Sequence, residues 1–135
     1  MRYEVAVSIQ GGDIVWVHGP FPCGEWPDIS IFRDSLMHLL GNGERVEADN
    51  GYRGEPESVD LPEECADERQ REVKSRVRAR HETMNNRLKN WSILSNSFRH
   101  PVEKHLLVFN SIAVITQLSI ENGRPLFQVE YTTRL

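Results

Sequence analysis

Three acidic side chains of the sequence stand where carboxylates can bind a cation. Asp28 precedes an apolar segment, Asp49 ends a short predicted strand, and Glu82 lies away from the apolar stripe of a long predicted helix. Carboxylate oxygens are the ligands that hard cations such as Mg²⁺ prefer. Binding of a divalent cation is therefore one function that these residue types support.

Each of the three acids also has an ordinary structural explanation. Asp28 can cap a helix by accepting backbone N–H bonds, and Asp49 begins an Asp-Asn-Gly sequence that is common in turns. Glu82 can pair with Arg78 or Asn86 on a solvated helix face, an interaction of only about 0.2–0.5 kcal/mol. Spacing alone leaves both interpretations open.

The composition is that of a globular chain of 135 residues with a net charge of −4. This charge argues against a protein that coats DNA, because phosphate binding usually leaves a basic excess. The charge is uneven, with acids prevailing over 44–72 and a basic cluster over 69–89. The cluster is either an exposed helix face or a surface for DNA phosphates, and a nuclease fits this balance because its metal ions supply positive charge.

The cysteines and the apolar segments argue against two further classes of protein. Cys23 and Cys65 are far apart and neither forms a CxxC pair, so a zinc site has little support and buried free thiols are the simpler interpretation. No secretory leader opens the chain, and the apolar run over 111–120 is too short to span a bilayer. We expect a soluble intracellular protein with no membrane partner.

Periodicity predicts the elements that must position the acids. Residues 2–10 alternate in polarity, with Glu4 on the polar face, and a Gly-Gly-Asp turn leads to a second strand over 14–18. These strands should form an antiparallel hairpin that ends at the proline-rich residues 19–22. The further predicted elements are a helix over 28–40, a strand over 44–49, an exposed acidic loop over 53–68, a long helix over 67–94, a largely buried helix over 101–121 and an edge strand over 126–132.

Three short motifs occur in a fixed order within residues 2–100. They are GPFPCG at 19–24 with Asp28 and IFR at 31–33, ADNGY at 48–52, and RARHET at 78–83 with RLK at 87–89 and Trp91. Each motif is weak alone. In their order and spacing, they resemble the DDE superfamily endonuclease domain of eukaryotic Harbinger-type transposases.

That resemblance implies an α/β fold of the ribonuclease H-like kind, a mixed sheet flanked by helices, which cuts DNA with two Mg²⁺ or Mn²⁺ ions. On the family pattern Asp49 is the second catalytic acid and Glu82 the third, and Asp28 is a weaker candidate for a metal ligand. The residues implied to contact DNA are Arg78, Arg80, Arg87 and Lys89. The implied partner is DNA, the implied location is nuclear or nucleocytoplasmic, and a homo-oligomer remains open.

The sequence departs from the family pattern at its beginning. The family's first catalytic acid lies on a strand just before the segment that begins here with Met1, and Asp13, in the predicted turn, does not easily replace it. Because that strand is central in a ribonuclease H-like sheet, we expect one partial domain over 1–135 with unpaired edges on two neighbouring strands and little or no catalytic activity. The alternatives are a non-catalytic module that binds DNA or protein through its basic helix, and an unrelated small α/β domain.

Overall fold

The chain folds as a mixed α/β structure with two separate two-stranded sheets, as seen in a computed structural model that describes residues 1–62 and 67–131. The α/β class predicted from the sequence is confirmed. The strands are β1 (Arg2–Val7), β2 (Ile14–Phe21), β3 (Val46–Glu47) and β4 (Val59–Asp60). The helices are α1 (Asp28–Asp34), α2 (Leu36–Leu39), α3 (Glu68–Lys89), α4 (Ser92–Ser95) and α5 (His105–Glu121).

Strands β1 and β2 form the predicted antiparallel hairpin, with Val7 opposite Ile14 and Arg2 opposite Phe21. β2 extends beyond the predicted range 14–18, through a cis Gly19–Pro20 bond to Phe21, so the ladder ends within residues 19–22 as predicted. The pairing register shifts between Arg2 and Glu4, and such an irregularity admits a proline that cannot donate a ladder bond.

The two faces of β1 pack against different parts of the chain. Tyr3 stacks on Phe109 of α5, with ring centroids 3.7 Å apart, and its hydroxyl bonds to Nδ1 of His105 at 2.6 Å. The opposite face was predicted to be polar, yet Glu4 is only 3% exposed. It is buried because α1 and the turn that contains Tyr52 cover this side of the hairpin.

The predicted helix over 28–40 is divided at Ser35 into α1 and α2. Asp28 is the first residue of α1 rather than its cap, since Pro27 occupies the N-cap position and makes no side-chain capping bond. Asp28 instead forms an ion pair with Arg2 at 3.3 Å. Phe32 of α1 is fully buried and anchors the core cluster on this side of the molecule.

Strand β3 is shorter than predicted and pairs in parallel with β4, which lies inside the segment predicted as an exposed loop. That prediction is wrong at Val59 and Leu61, because both side chains are buried against Phe32. Most of residues 53–58 are exposed as expected. Residues 63–66, which include Cys65, lie outside the described residues; Cys23 is exposed and free, contrary to the prediction of a buried thiol.

Helix α3 begins after Asp67, whose side chain accepts from the backbone N–H of Arg69 at 3.0 Å. Its predicted apolar stripe is confirmed, with Val77, Met84 and Leu88 buried. The helix ends at Lys89, earlier than predicted, and α4 follows as a separate turn.

Helix α5 buries one face, including Phe109 and Ile112, but leaves another exposed. The prediction that it is largely buried is wrong for Leu107 and Val114, which are 68% and 59% exposed. The described tail, residues 122–131, forms no strand, although Leu126 is buried against α3. Within the described ranges, no helix has both the length and the apolar character needed to cross a membrane.

Arg80 joins α3 to the end of the hairpin. Its side chain is 2% exposed, and Nη2 donates to the carbonyl of Ser8 at 2.8 Å and also to the carbonyl of Ile9. Hydrogen bonds from a charged donor to backbone carbonyls are among the stronger ones in proteins.

We expect Arg80→Ala to lower the free energy of unfolding by about 2–4 kcal/mol, because it removes the charged donor to the carbonyls of Ser8 and Ile9 and leaves a cavity in place of a buried side chain. Urea denaturation measures the loss. Arg78→Ala, an exposed position on the same helix, is the control and should change stability by less than about 0.5 kcal/mol. Equal losses in the two variants would contradict this role of Arg80.

Candidate functional site

A cleft of about 420 Å³ lies between β1, the segment over 46–52 and α3. Asp49 and Glu82, the two acids selected by the sequence motifs, both line it. Its remaining polar lining comes from Glu4, Tyr52, Ser75, Arg78 and His81. Residues far apart in the sequence therefore meet at one concave surface.

Asp49 is positioned by the turn that follows β3. Its Oδ1 accepts from the backbone N–H of Gly51 at 2.8 Å, so the turn interpretation of this sequence is correct. The side chain nevertheless remains exposed at the cleft. The structural and functional interpretations of Asp49 are thus compatible.

Asp28 lies next to Asp49, on the other side of Gly51. A Cβ atom added to Gly51 would lie 2.7 Å from Oδ2 of Asp28 and 3.0 Å from Oδ1 of Asp49. Glycine at this position is therefore what allows the two carboxylates to approach each other. Arg2 offsets part of the resulting repulsion through its ion pair with Asp28.

Glu82 reaches the cleft from α3. It is exposed, and the structure shows no ion pair between Glu82 and Arg78 within the described part of α3. Its neighbour His81 donates from Nε2 to the carbonyl of Val5 at 2.9 Å, because a carbonyl oxygen can only accept. This bond holds Glu82 beside the edge of β1.

Glu4 is the residue of the cleft that the sequence motifs missed. Its Oε1 accepts from Nε1 of Trp16 at 3.1 Å, and the hydroxyl of Tyr52 is a second side-chain partner of the carboxylate. Burial raises the pKa of Glu4, and the bond from Trp16, the charge of His18 and the Tyr52 hydroxyl oppose that shift. In the sequence, Glu4 could have been noticed as a charged residue in the middle of a strand whose residues alternate in polarity.

Tyr52 lies close to several of these acids. Burial is the largest cause that raises the pKa of its phenol, and the negative charges of Glu4, Asp28 and Asp49 raise it further. Three carboxylates from three separate segments therefore act electrostatically on one hydroxyl.

The four basic residues implied to contact DNA differ in their surroundings. Arg78 is exposed and lines the cleft, and Lys89 is exposed at the end of α3. Arg87 donates to the carbonyls of Arg124 and Pro125 in the tail. Arg80 is buried and bonded to the hairpin, so it is not available to phosphates in this conformation and its assignment as a DNA contact is corrected.

No group of three or more His, Cys, Asp or Glu side chains is arranged to hold a metal ion in residues 1–62 and 67–131. A cation bound to the side chains as they stand would use fewer of them and complete its coordination with water, as Mg²⁺ commonly does.

Comparison with known proteins gives no relative. No family model, curated protein or solved structure matches the chain. The resemblance to DDE transposases therefore depends on the three sequence motifs and on the arrangement of the cleft.

Neutralising Asp49 should lower the pKa of Tyr52, because it removes a negative charge that disfavours the phenolate. Spectrophotometric titration of the phenols at alkaline pH measures the shift in Asp49→Asn. Comparison with Tyr52→Phe shows which step of the titration belongs to Tyr52. Glu57→Gln, at an exposed position outside the cleft, should leave the titration unchanged. An unshifted Tyr52 in Asp49→Asn would show that the two side chains are not electrostatically coupled.

Proposed function

We propose that the chain is a DDE-type transposase or endonuclease domain whose cleft binds a divalent cation and DNA. The observation that carries the proposal is that Asp49 and Glu82 line the same cleft although they come from distant segments. Their residue types and their motifs were selected before any spatial information, so their common location is independent support.

The division of the sheet also supports this proposal. Among the described residues, β1 pairs only with β2, and β3 pairs only with β4. Val5 of β1 and Ala48 next to β3 line the cleft from its two sides, and the carbonyl of Val5 is bonded by a histidine side chain rather than by a strand. A ribonuclease H-like mixed sheet without its first central strand would have a gap of this kind, and this is the finer fold that we propose.

The chain's own residues have distinct tasks under this proposal. Asp49 and Glu82 would hold Mg²⁺ or Mn²⁺, with Asp28 beside them, and the ion would supply Lewis-acid polarisation of a phosphodiester. Arg78, at the same cleft, would contact a DNA phosphate. A DNA substrate implies a nuclear or nucleocytoplasmic location.

The non-catalytic alternative, a module that binds through its basic helix, is less well supported. Arg80 and Arg87 of that helix are bonded to backbone carbonyls, and Arg76 donates to the carbonyl of Gln128 at 3.2 Å. These bonds occupy N–H donors that α3 would otherwise offer to a partner.

Mn²⁺ titration followed by electron paramagnetic resonance or calorimetry tests the cation site. Asp49→Asn and Glu82→Gln should each weaken binding about tenfold or more, because each removes a charged oxygen ligand. Gly51→Ala should also weaken it without removing an acid, because the added methyl displaces two carboxylates. Glu72→Gln, an exposed acid on the same helix as Glu82, is the control. Unchanged affinity in Asp49→Asn and Glu82→Gln would exclude the proposed site.

Binding of a fluorescent DNA duplex, measured by anisotropy in Mn²⁺, tests the role of Arg78. Arg78→Gln should reduce affinity and lower the slope of log affinity against log salt by about one, as expected for one lost phosphate contact. Arg71→Gln is the matched control, because Arg71 is exposed on α3 but does not line the cleft. Identical effects of the two substitutions would contradict a specific contact by Arg78.

A further inference from the structure

We propose that the exposed face of α5 is a dimer interface, on which a second copy of this chain packs its own α5 in the antiparallel direction. This inference does not depend on the proposed function, because no residue of α5 lines the cleft between β1 and α3. It assigns a partner to a surface that the described part of the chain leaves uncovered.

The first argument is the apolar character of this face. No Asp, Glu, Lys or Arg occurs in residues 106–120. Val15 of β2, which is 62% exposed, lies beside the helix across a groove of about 620 Å³ that Val114 and Leu118 also line. The aliphatic side chains of α5 that are about half exposed or more are Leu107, Val114, Ile115 and Leu118. Adjoining apolar side chains exposed in this way are typical of a protein interaction site.

The second argument is the spacing of the outward residues. Leu107, Ser111, Val114 and Leu118 follow one another at steps of four, three and four, which places them in one stripe along the helix. These steps are the same when they are read in the opposite direction. If two copies of α5 run antiparallel about a twofold axis, Leu107 is level with Leu118 of the partner subunit, and Ser111 with Val114 of the partner subunit. The stripe is therefore complementary to itself.

The third argument is charge complementarity at the two ends of the stripe. Lys104 lies three residues before Leu107, and Glu121 lies three residues after Leu118. In the antiparallel pair, Lys104 is therefore level with Glu121 of the partner subunit, and the twofold axis gives this pair twice. Both side chains are exposed, and neither forms an ion pair within residues 1–62 and 67–131. A parallel pair would instead bring like charges together, so the charges favour the antiparallel direction.

The fourth argument is the area that this arrangement buries. α5 has 17 residues. A helix of this length is about 25 Å long, and with β2 beside it the face is about 20 Å wide, so each chain would bury on the order of 500 Å². The total of about 1,000 Å² is at the lower limit for a specific interface between proteins. We therefore expect a reversible dimer with a dissociation constant in the micromolar range.

Sedimentation velocity over a series of concentrations tests the inference on the unmodified chain. The expected result is an equilibrium between monomer and dimer that shifts to the dimer as the concentration rises through the micromolar range. A chain that remains monomeric up to about 200 μM would overturn the inference and leave this face to another kind of partner.

Val114→Glu tests the centre of the interface. It should raise the dissociation constant about tenfold or more, because it buries an unpaired charge from each copy close to the twofold axis. Leu39→Glu is the matched control, since Leu39 is a similarly exposed aliphatic residue on α2, away from this face, and it should leave the equilibrium unchanged. Both positions are exposed in the single chain, so circular dichroism should show that both variants are folded. Equal dissociation constants in the two variants would overturn the inference.

Exchange of the end charges tests the antiparallel direction. Lys104→Glu and Glu121→Lys should each raise the dissociation constant about twofold to fivefold, because like charges then meet at both ends of the stripe. The double variant should recover the original affinity, since each pair is restored with its signs reversed. A double variant that dimerises more weakly than either single variant would overturn the antiparallel arrangement and the inference with it.

Discussion

The attachment of α3 to the hairpin is the interaction on which the rest of the structure depends. Arg80 and His81 donate to backbone carbonyls of the N-terminal segment, at Ser8, Ile9 and Val5. Consecutive residues of one helix thereby reach carbonyls on both sides of the end of β1. Glu82 is the next residue, so its place beside the strand follows directly from these bonds.

Negative charge gathers at the cleft and beside it, and Arg2 and Arg78 offset part of that charge. Asp28 and Asp49 lie on either side of Gly51, Glu4 is buried nearby, and Tyr52 experiences all three charges. Repulsion between neighbouring carboxylates disfavours the folded state unless protons or cations relieve it. Such an arrangement is common at functional sites, where the cost is offset by the stability of the surrounding fold.

The sequence predicted the parts of this fold that depend on short-range periodicity. The hairpin follows from alternating polarity and a Gly-Gly turn, and the buried stripe of α3 follows from steps of three, four and seven. Asp49 and Glu82 were selected differently, through the resemblance of the sequence motifs. The motifs supplied residue types, whereas only the three-dimensional arrangement showed that Asp49 and Glu82 share a cleft.

The predictions that were wrong have one physical cause in common. The burial of a side chain depends on packing partners that are remote in the sequence. From the sequence, Glu4 was expected to face solvent, but α1 covers it in the fold. Val59 was expected in an exposed loop, but it packs against Phe32. From the sequence, Arg80 was expected on a cationic surface, but its guanidinium donates to a backbone carbonyl at the end of the hairpin. Conversely, Leu107 satisfies the pattern of a buried helix but finds no covering segment among the described residues.

The packing of β1 on α5 has a consequence for biosynthesis. Tyr3 bonds to His105, 102 positions later, and the backbone N–H of Ile14 bonds to Gln117, 103 positions later. At about 5–20 residues per second of translation, roughly 5–20 s pass between the synthesis of the hairpin and the synthesis of these partners. During that interval its apolar face is unprotected on the nascent polypeptide, so co-translational chaperone binding would act on the hairpin before any other element.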